Sequence, residues 1–119
     1  MYEKFREAVL MYRKHSLFST YQGNLNDLPA AVHDFYKNCN PIDVKIDYDG
    51  LDVWFCPAER LSELQEEYSY IDAQFVFATC NGDPIFLDGE SVYTCSHDGG
   101  EKSDWEKLAD SFESYIKEF

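Results

Sequence analysis

The segment from residue 75 to residue 97, FVFATCNGDPIFLDGESVYTCSH, constrains the fold of this chain more than any other. Its three short apolar runs are separated by Asn81-Gly82-Asp83-Pro84 and by Asp88-Gly89-Glu90. Val, Ile, Phe and Tyr favour a pleated, half-buried surface, and Asn-Gly and Asp-Gly are the strongest short-range signals for a β-hairpin. The segment therefore predicts a three-stranded antiparallel meander, in which Asn81, Gly82, Asp83, Asp88 and Gly89 have a structural role in the turns.

Two helices are predicted before the first strand. Their apolar residues fall at i, i+3, i+4 and i+7, as Phe5, Ala8, Val9 and Tyr12 in the first helix and as Leu28, Ala31, Val32, Phe35 and Tyr36 in the second. A polar loop from residue 14 to residue 26 separates them. Asn26 or Asp27 is expected to cap the second helix, with Pro29 in its first turn and Pro41 ending it.

A hairpin and two further helices complete the predicted order. Residues 44–48 alternate apolar and polar, Asp49-Gly50 turns the chain, and residues 51–55 return it. A short helix opens at Pro57 and turns Leu61, Leu64 and Tyr68 inward. A final helix is predicted from residue 103, where Ser103 and Glu106 form a capping box at the start of an apolar stripe that runs from Trp105 to Phe119.

These elements predict one α+β domain over residues 1–119, in the order α-α-β-β-α-β-β-β-α. Tight turns join most neighbouring strands, so the sheet is expected to be mainly antiparallel, with about five strands and with helices packed on it. The length of 119 residues, with 45% apolar and 17% aromatic residues, is enough for a single hydrophobic core. No linker, repeat or low-complexity tract divides the chain.

The formal net charge of −13 is carried by the second part of the chain. Residues 1–40 hold five basic and four acidic side chains, a net charge of +1, whereas residues 41–119 hold five basic and nineteen acidic ones, a net charge of −14. A field of that sign repels nucleic acid and anionic membranes, and it accelerates the encounter with a basic protein. Solubility alone also explains an acidic surface, so both interpretations stay open.

The expected compartment is the cytoplasm. No apolar run approaches the roughly 20 residues that span a bilayer, and the amino-terminal segment has charges at helical spacing in place of the apolar block of a secretory signal. Thiols should stay reduced there. The four cysteines, Cys39, Cys56, Cys80 and Cys95, lie in or beside apolar stretches and form no C-x-x-C pair, so we expect free core thiols, no metal and no cofactor.

The first predicted hairpin is the candidate partner surface. Its run Val53-Trp54-Phe55 places aromatic bulk on both faces of a strand, so Trp54 or Phe55 would lie on any bare face of the sheet, where an exposed aromatic is a typical binding anchor. The alternative is that a helix covers it. Four more residues flank this hairpin and form with Trp54 an acidic-aromatic edge, which we predict to contact a partner: Asp47, Tyr48, Asp49 and Asp52.

A small metal-dependent enzyme is the alternative from another functional class. Asp83, Asp88, His97 and Asp98 fall at or near loop ends of the meander, where a carboxylate–histidine group can bind a divalent ion or act as a general base. Turn chemistry explains the two aspartates better, because hairpin turns favour Asp. The chain has no nucleophile signature, no phosphate loop and no H-E-x-x-H, so we predict no catalytic residue.

Three groups of residues together resemble the SUKH superfamily, which includes the yeast cell-wall-assembly regulator and many bacterial toxin-immunity proteins. The first is Leu28-Pro29 opening a helix that ends with FYKNCNP at residues 35–41. The second is FVFA at residues 75–78 followed by NGDPIFLD at 81–88. The third is Val92-Tyr93, His97-Asp98 and ADSFESYI at 109–116. Asn81 stands where many relatives have a second glycine, and Asn tolerates the left-handed conformation that this turn needs.

The resemblance implies a cytoplasmic, non-enzymatic domain that binds and neutralises a toxin delivered by a neighbouring bacterium. Toxins paired with this superfamily are often nucleases or nucleic-acid deaminases, which need basic clefts for phosphate backbones. A region with a net charge of −14 is complementary to such a cleft. A regulatory or scaffold module for a cellular partner is also compatible with these residues.

Overall fold

The computed structural model describes residues 5, 18–19, 21, 23, 28–41, 44–48, 51–71, 75–98 and 102–117. Within them, strands β1 (Phe18–Ser19) and β2 (Asn40–Pro41) pair with each other. One six-stranded sheet, antiparallel throughout and ordered as in the chain, is formed by β3 (Val44–Tyr48), β4 (Leu51–Phe55), β5 (Phe75–Cys80), β6 (Asp83–Asp88), β7 (Ser91–Thr94) and β8 (Glu106–Ala109). The predicted α+β class and mainly antiparallel sheet are confirmed.

Three α-helices lie in the described ranges, α1 (His33–Cys39), α2 (Leu61–Glu67) and α3 (Phe112–Lys117). Short 3₁₀ turns lead into the first two. Helix α1 ends before Pro41, as predicted, because Asn40 is already extended and proline cannot donate to a helix. Leu61, Leu64 and Tyr68 are buried, which confirms the predicted inward face of α2.

The amino-terminal predictions are only partly covered by the structure. Of the predicted first helix, Phe5 alone is described, and it is helical and 3% exposed. The predicted loop over 14–26 contains β1, so it is not wholly irregular. The predicted caps Asn26 and Asp27 and the turn Asp49-Gly50 lie outside the described residues. The residue directly before the 3₁₀ turn is Pro29, which offers no side-chain cap.

The central meander has the turns that its residues predict. Between β5 and β6, Asn81 and Gly82 both have positive φ, 51° and 92°, as a two-residue turn of type I′ requires. Between β6 and β7, Gly89 has a φ of 65° at the first turn position. Asn81 therefore does adopt the left-handed conformation expected of it, and the register of three strands follows from these turns.

The predicted carboxy-terminal helix from residue 103 is wrong in its first half. Lys102–Asp104 form a 3₁₀ turn, and Glu106 begins β8, so Ser103 and Glu106 do not form a capping box. β8 pairs with β7, with Ala109 opposite Val92, because the open edge of β7 offers a full ladder of hydrogen bonds to an extended segment. The helix starts after Ser111, whose Oγ accepts a hydrogen bond of 3.0 Å from the Ser114 amide.

Aromatic side chains form the core on both faces of the sheet. On one face Phe112 of α3 contacts Phe35 of α1 at 5.2 Å and Phe77 of β5 at 5.0 Å between ring centroids. On the other face the ring of Trp105 meets Phe86 of β6 edge-on at 4.7 Å. The four consecutive residues 84–87 are buried, and since successive strand residues point to opposite faces, both faces of the sheet are covered at its centre.

Two side-chain amides join elements that are distant in the chain. Asn40, fully buried, accepts a 2.8 Å hydrogen bond from the Ala58 amide and donates another of 2.8 Å to Glu59. Gln65 of α2 donates to the carbonyl of Val76 at 2.6 Å and accepts from the amide of Val76 at 2.8 Å. The pairing of β4 with β5 ends at Ala78, so β4 does not reach Val76. The side chain of Gln65 forms the two hydrogen bonds with Val76 that a neighbouring strand would otherwise form.

Candidate functional site

The acidic-aromatic edge lies on the outer hairpin of the sheet, formed by β3 and β4. In its register Asp47 is opposite Asp52, Lys45 is opposite Trp54, and Tyr48 is opposite Leu51. Pairs alternate between the two faces, so the Asp47–Asp52 and Lys45–Trp54 pairs share one face and the Tyr48–Leu51 pair belongs to the other. Asp47 and Tyr48 are placed here by backbone register alone.

The hairpin brings two acidic residues into directly opposed positions. Asp52 is exposed to solvent, and its carbonyl accepts a 3.3 Å hydrogen bond from the amide of Asn81 in the neighbouring turn. Asp49, the other predicted carboxylate, lies outside the described residues. Two acidic residues at opposed positions of one hairpin are complementary in charge to a cationic partner.

The two aromatic candidates of β4 have different surroundings. Phe55 is fully buried, and its ring lies 6.3 Å from that of Phe35, on the face that packs against α1. Trp54 points to the opposite face and is only half-buried. The guanidinium of Arg60 lies 5.9 Å from the centroid of the Trp54 ring, and Glu63 is 3.5 Å from Arg60 Nε. The face of the hairpin that holds Trp54 is therefore partly covered, because the long, exposed side chain of Arg60 lies over part of the Trp54 ring.

The predicted enzyme cluster is only partly assembled. Oδ1 of Asp83 accepts a 2.9 Å hydrogen bond from the backbone amide of His97 and lies 2.9 Å from its Nδ1. Nε2 of the same ring lies 3.5 Å from Oδ1 of Asp98. Asp88 is at the other end of β6, about 16 Å along the strand at roughly 3.3 Å per residue, and it pairs with Lys102 at 3.0 Å.

The geometry around His97 favours a charged imidazolium. Both ring nitrogens face carboxylates, and the hydrogen bond to Asp83, followed by the charge of Asp98, raises the pKa of His97 above its ordinary value of 6.5. Positive charge on the ring strengthens both contacts, and together they tie the loop after β7 to the start of β6.

Other metal-ligating side chains are dispersed. Among the residues that the structure describes, no three His, Cys, Asp or Glu side chains are grouped so as to hold a metal ion. All four cysteines are free thiols; Cys39, Cys56 and Cys95 are buried as predicted, and Cys80 is half-buried. Burial raises the pKa of Cys56 to about 12, so this thiol is not a nucleophile at neutral pH.

Sequence reasoning missed the two residues that shape the exposed aromatic surface. The guanidinium of Arg60 lies over the Trp54 ring from the segment that leads into α2, and Tyr70 follows that helix with 58% of its surface exposed. No local pattern identifies either residue, because their roles depend on where α2 lies against the sheet.

None of the helices within the described ranges has the length and apolar character to cross a bilayer. Comparison with known proteins found no match: no protein-family model, no curated protein and no solved structure matches this chain. The relation to the SUKH superfamily therefore stays a prediction that rests on the motifs quoted above.

Proposed function

We propose that this protein is a cytoplasmic immunity protein, which binds a basic toxin domain encoded beside its own gene and neutralises it without catalysis. The observation that carries the proposal is the opposed positions of Asp47 and Asp52 on the face of the hairpin that also holds the half-buried Trp54. A basic partner complements the charge of these two acidic residues. Aromatic residues with one exposed face are frequent anchors of protein interfaces.

The chemistry of the partner follows from the charge. Nucleases and nucleic-acid deaminases bind phosphate backbones in basic clefts, and a chain segment with a net charge of −14 is complementary to such a cleft. An acidic inhibitor that covers the cleft excludes the nucleic acid from it. The resemblance to the SUKH superfamily supports the same partner, since immunity proteins of that group neutralise toxins of this kind.

The test uses the toxin domain encoded next to the gene. The two proteins are co-purified, and their dissociation constant is measured by calorimetry. Changing Asp47, Asp49 and Asp52 together to Asn should weaken binding by more than about tenfold, or ~1.4 kcal/mol, while the urea midpoint stays the same. A control with the same charge change, made at exposed acids elsewhere, should bind like the wild type: Asp34→Asn, Glu90→Gln and Asp104→Asn.

Each outcome has a distinct meaning. Wild-type affinity in the Asp47, Asp49 and Asp52 variant would remove the interface from this hairpin. Equal weakening in both triple variants would leave only a general effect of net charge. Absence of binding between the wild-type proteins at micromolar concentration would contradict the proposed function itself.

A further inference from the structure

Tyr70 is an exposed aromatic that the fold holds in place. It has 58% of its surface exposed, more than any other large apolar side chain in the described part of the chain. Its hydroxyl donates a hydrogen bond to the carbonyl of His97. Its ring lies 6.2 Å from that of Tyr68, whose own hydroxyl donates to the carbonyl of Gly82 at 2.5 Å. The Tyr70 side chain is therefore anchored through its hydroxyl although its ring lies outside the core.

Acidic side chains lie close to the residues that hold this ring. Burial raises the pKa of Tyr68, and the neighbouring groups Glu67, Tyr70 and Asp83 raise it further. Asp83 and Asp98 both contact His97, the residue that holds Tyr70. The side chain of Asp98 is 86% exposed, and that of Asp83 is 43% exposed. We call Glu67, Tyr70, Asp83, His97 and Asp98 the Tyr70 patch.

The Tyr70 patch adjoins the hairpin of β3 and β4. The turn between β5 and β6 touches both, because the amide of Asn81 donates to the carbonyl of Asp52 and the carbonyl of Gly82 accepts from Tyr68. A partner that covers the hairpin therefore has the Tyr70 patch at the edge of its contact area. A tyrosine that is already held by a hydrogen bond loses less conformational entropy on binding than an unattached one, which favours it as a contact residue.

We propose that the Tyr70 patch binds an arginine side chain of a basic protein surface, with the guanidinium stacked on the Tyr70 ring and its N–H groups donated to the carboxylates of Asp98 and Glu67. A guanidinium is planar and weakly hydrated, so it stacks on an aromatic face and forms forked hydrogen bonds with carboxylates, which an ammonium group does not match. This inference rests on the proposed function in one respect, because it takes the toxin domain to be the protein that carries the basic surface.

The first experiment needs no toxin. The ¹⁵N-labelled protein is titrated with capped tetra-arginine and tetra-lysine peptides of equal charge, and amide shifts are followed by NMR. Tetra-arginine should bind more tightly than tetra-lysine and should shift the amides of residues 67–70, 81–83 and 97–98 most. Tyr70→Leu keeps apolar bulk but removes the aromatic face, and it should weaken tetra-arginine binding about two- to fivefold without affecting tetra-lysine.

Two controls separate the patch from general electrostatics. Glu67→Gln with Asp98→Asn should weaken both peptides, whereas Glu90→Gln with Asp104→Asn, at exposed acids elsewhere, should change the shifts of the Tyr70 patch little. An unchanged urea midpoint shows that each variant is folded. Equal binding of the two peptides, or shifts spread evenly over all acidic residues and unaffected by Tyr70→Leu, would overturn the inference.

The second experiment places Tyr70→Leu in the toxin-binding assay, where loss of about tenfold in affinity is expected for an anchor at an interface. If the wild-type protein binds the toxin and Tyr70→Leu binds equally well, the inference fails and the proposed function stands. If the wild-type protein does not bind the toxin but tetra-arginine still binds at the Tyr70 patch, the proposed function is wrong and the arginine site at the Tyr70 patch is supported.

Discussion

The buried hydroxyl of Tyr36 gives the sharpest prediction about stability. Tyr36 is fully buried on helix α1, and its hydroxyl has no hydrogen-bond partner among the residues that the structure describes. An unpaired buried hydroxyl costs about 1–3 kcal/mol. Replacing Tyr36 with Phe removes that cost and leaves a void of about 10–15 Å³, which at ~24 cal/mol per Å³ costs about 0.3 kcal/mol. Tyr36→Phe should therefore raise the free energy of unfolding by about 1–2 kcal/mol.

Urea denaturation followed by circular dichroism measures this effect. With an m-value of about 1.5 kcal/mol per M, unchanged by the substitution, the midpoint should rise by roughly 1 M. Tyr68→Phe is the matched control, because the Tyr68 hydroxyl is bonded to Gly82, and it should lower the free energy of unfolding by about 0.5–1.5 kcal/mol. A loss of stability in Tyr36→Phe similar to that in Tyr68→Phe would show that the Tyr36 hydroxyl is bonded, and would refute the reasoning.

Two further predictions concern the contacts of Gln65 and His97. Gln65→Leu leaves the amide and carbonyl of the buried Val76 unpaired, so urea denaturation should show a loss of about 2–4 kcal/mol, and a change below about 0.5 kcal/mol would contradict the bridging role. The raised pKa of His97 means that its ion pair is fully formed below about pH 6.5 and is lost as the pH rises through the folded-state pKa. An NMR titration should give a pKa above 6.5 that Asp83→Asn lowers more than Asp98→Asn does; a pKa at or below 6.5 in the wild type would contradict the geometry.

The meander could be predicted from the sequence because its geometry is decided locally. Asn81, Gly82 and Gly89 are the residue types that accept positive φ, and each adopts it. The strands between these turns alternate or remain apolar over four to six residues, so both their type and their register follow from neighbouring residues. The α+β class then follows from the order of the elements.

Residues 103–109 could not be assigned from the sequence because the deciding interactions are distant. The spacing of Trp105, Leu108, Ala109 and Phe112 satisfies a helical pattern, and Ser103 with Glu106 satisfies a capping pattern. In the fold, Trp105 packs on Phe86 and the following strand completes the hydrogen bonds of β7. The correct helix start at Ser111 has a cap of the same kind, but the sequence offers no means of choosing between the two.

The partner surface stays a prediction, and strand alternation fixes only part of its arrangement. Trp54 and Asp52 share one face of the sheet, because residues two apart in a strand point to the same side. The contact of Arg60 with the Trp54 ring and the bond from Tyr70 to His97 join elements that only the folded sheet brings together. Residue type alone was also not enough to group Asp83 with Asp88, because the two residues lie at opposite ends of the same strand.

The proposed function requires that the protein present a preformed acidic surface to a basic protein. This can be tested by stopped-flow measurement of the association rate with the toxin domain encoded beside its gene, between about 0.02 M and about 0.5 M salt. The association rate constant should fall by at least about tenfold over this range, while the dissociation rate constant changes little. An association rate constant that is independent of salt would contradict it.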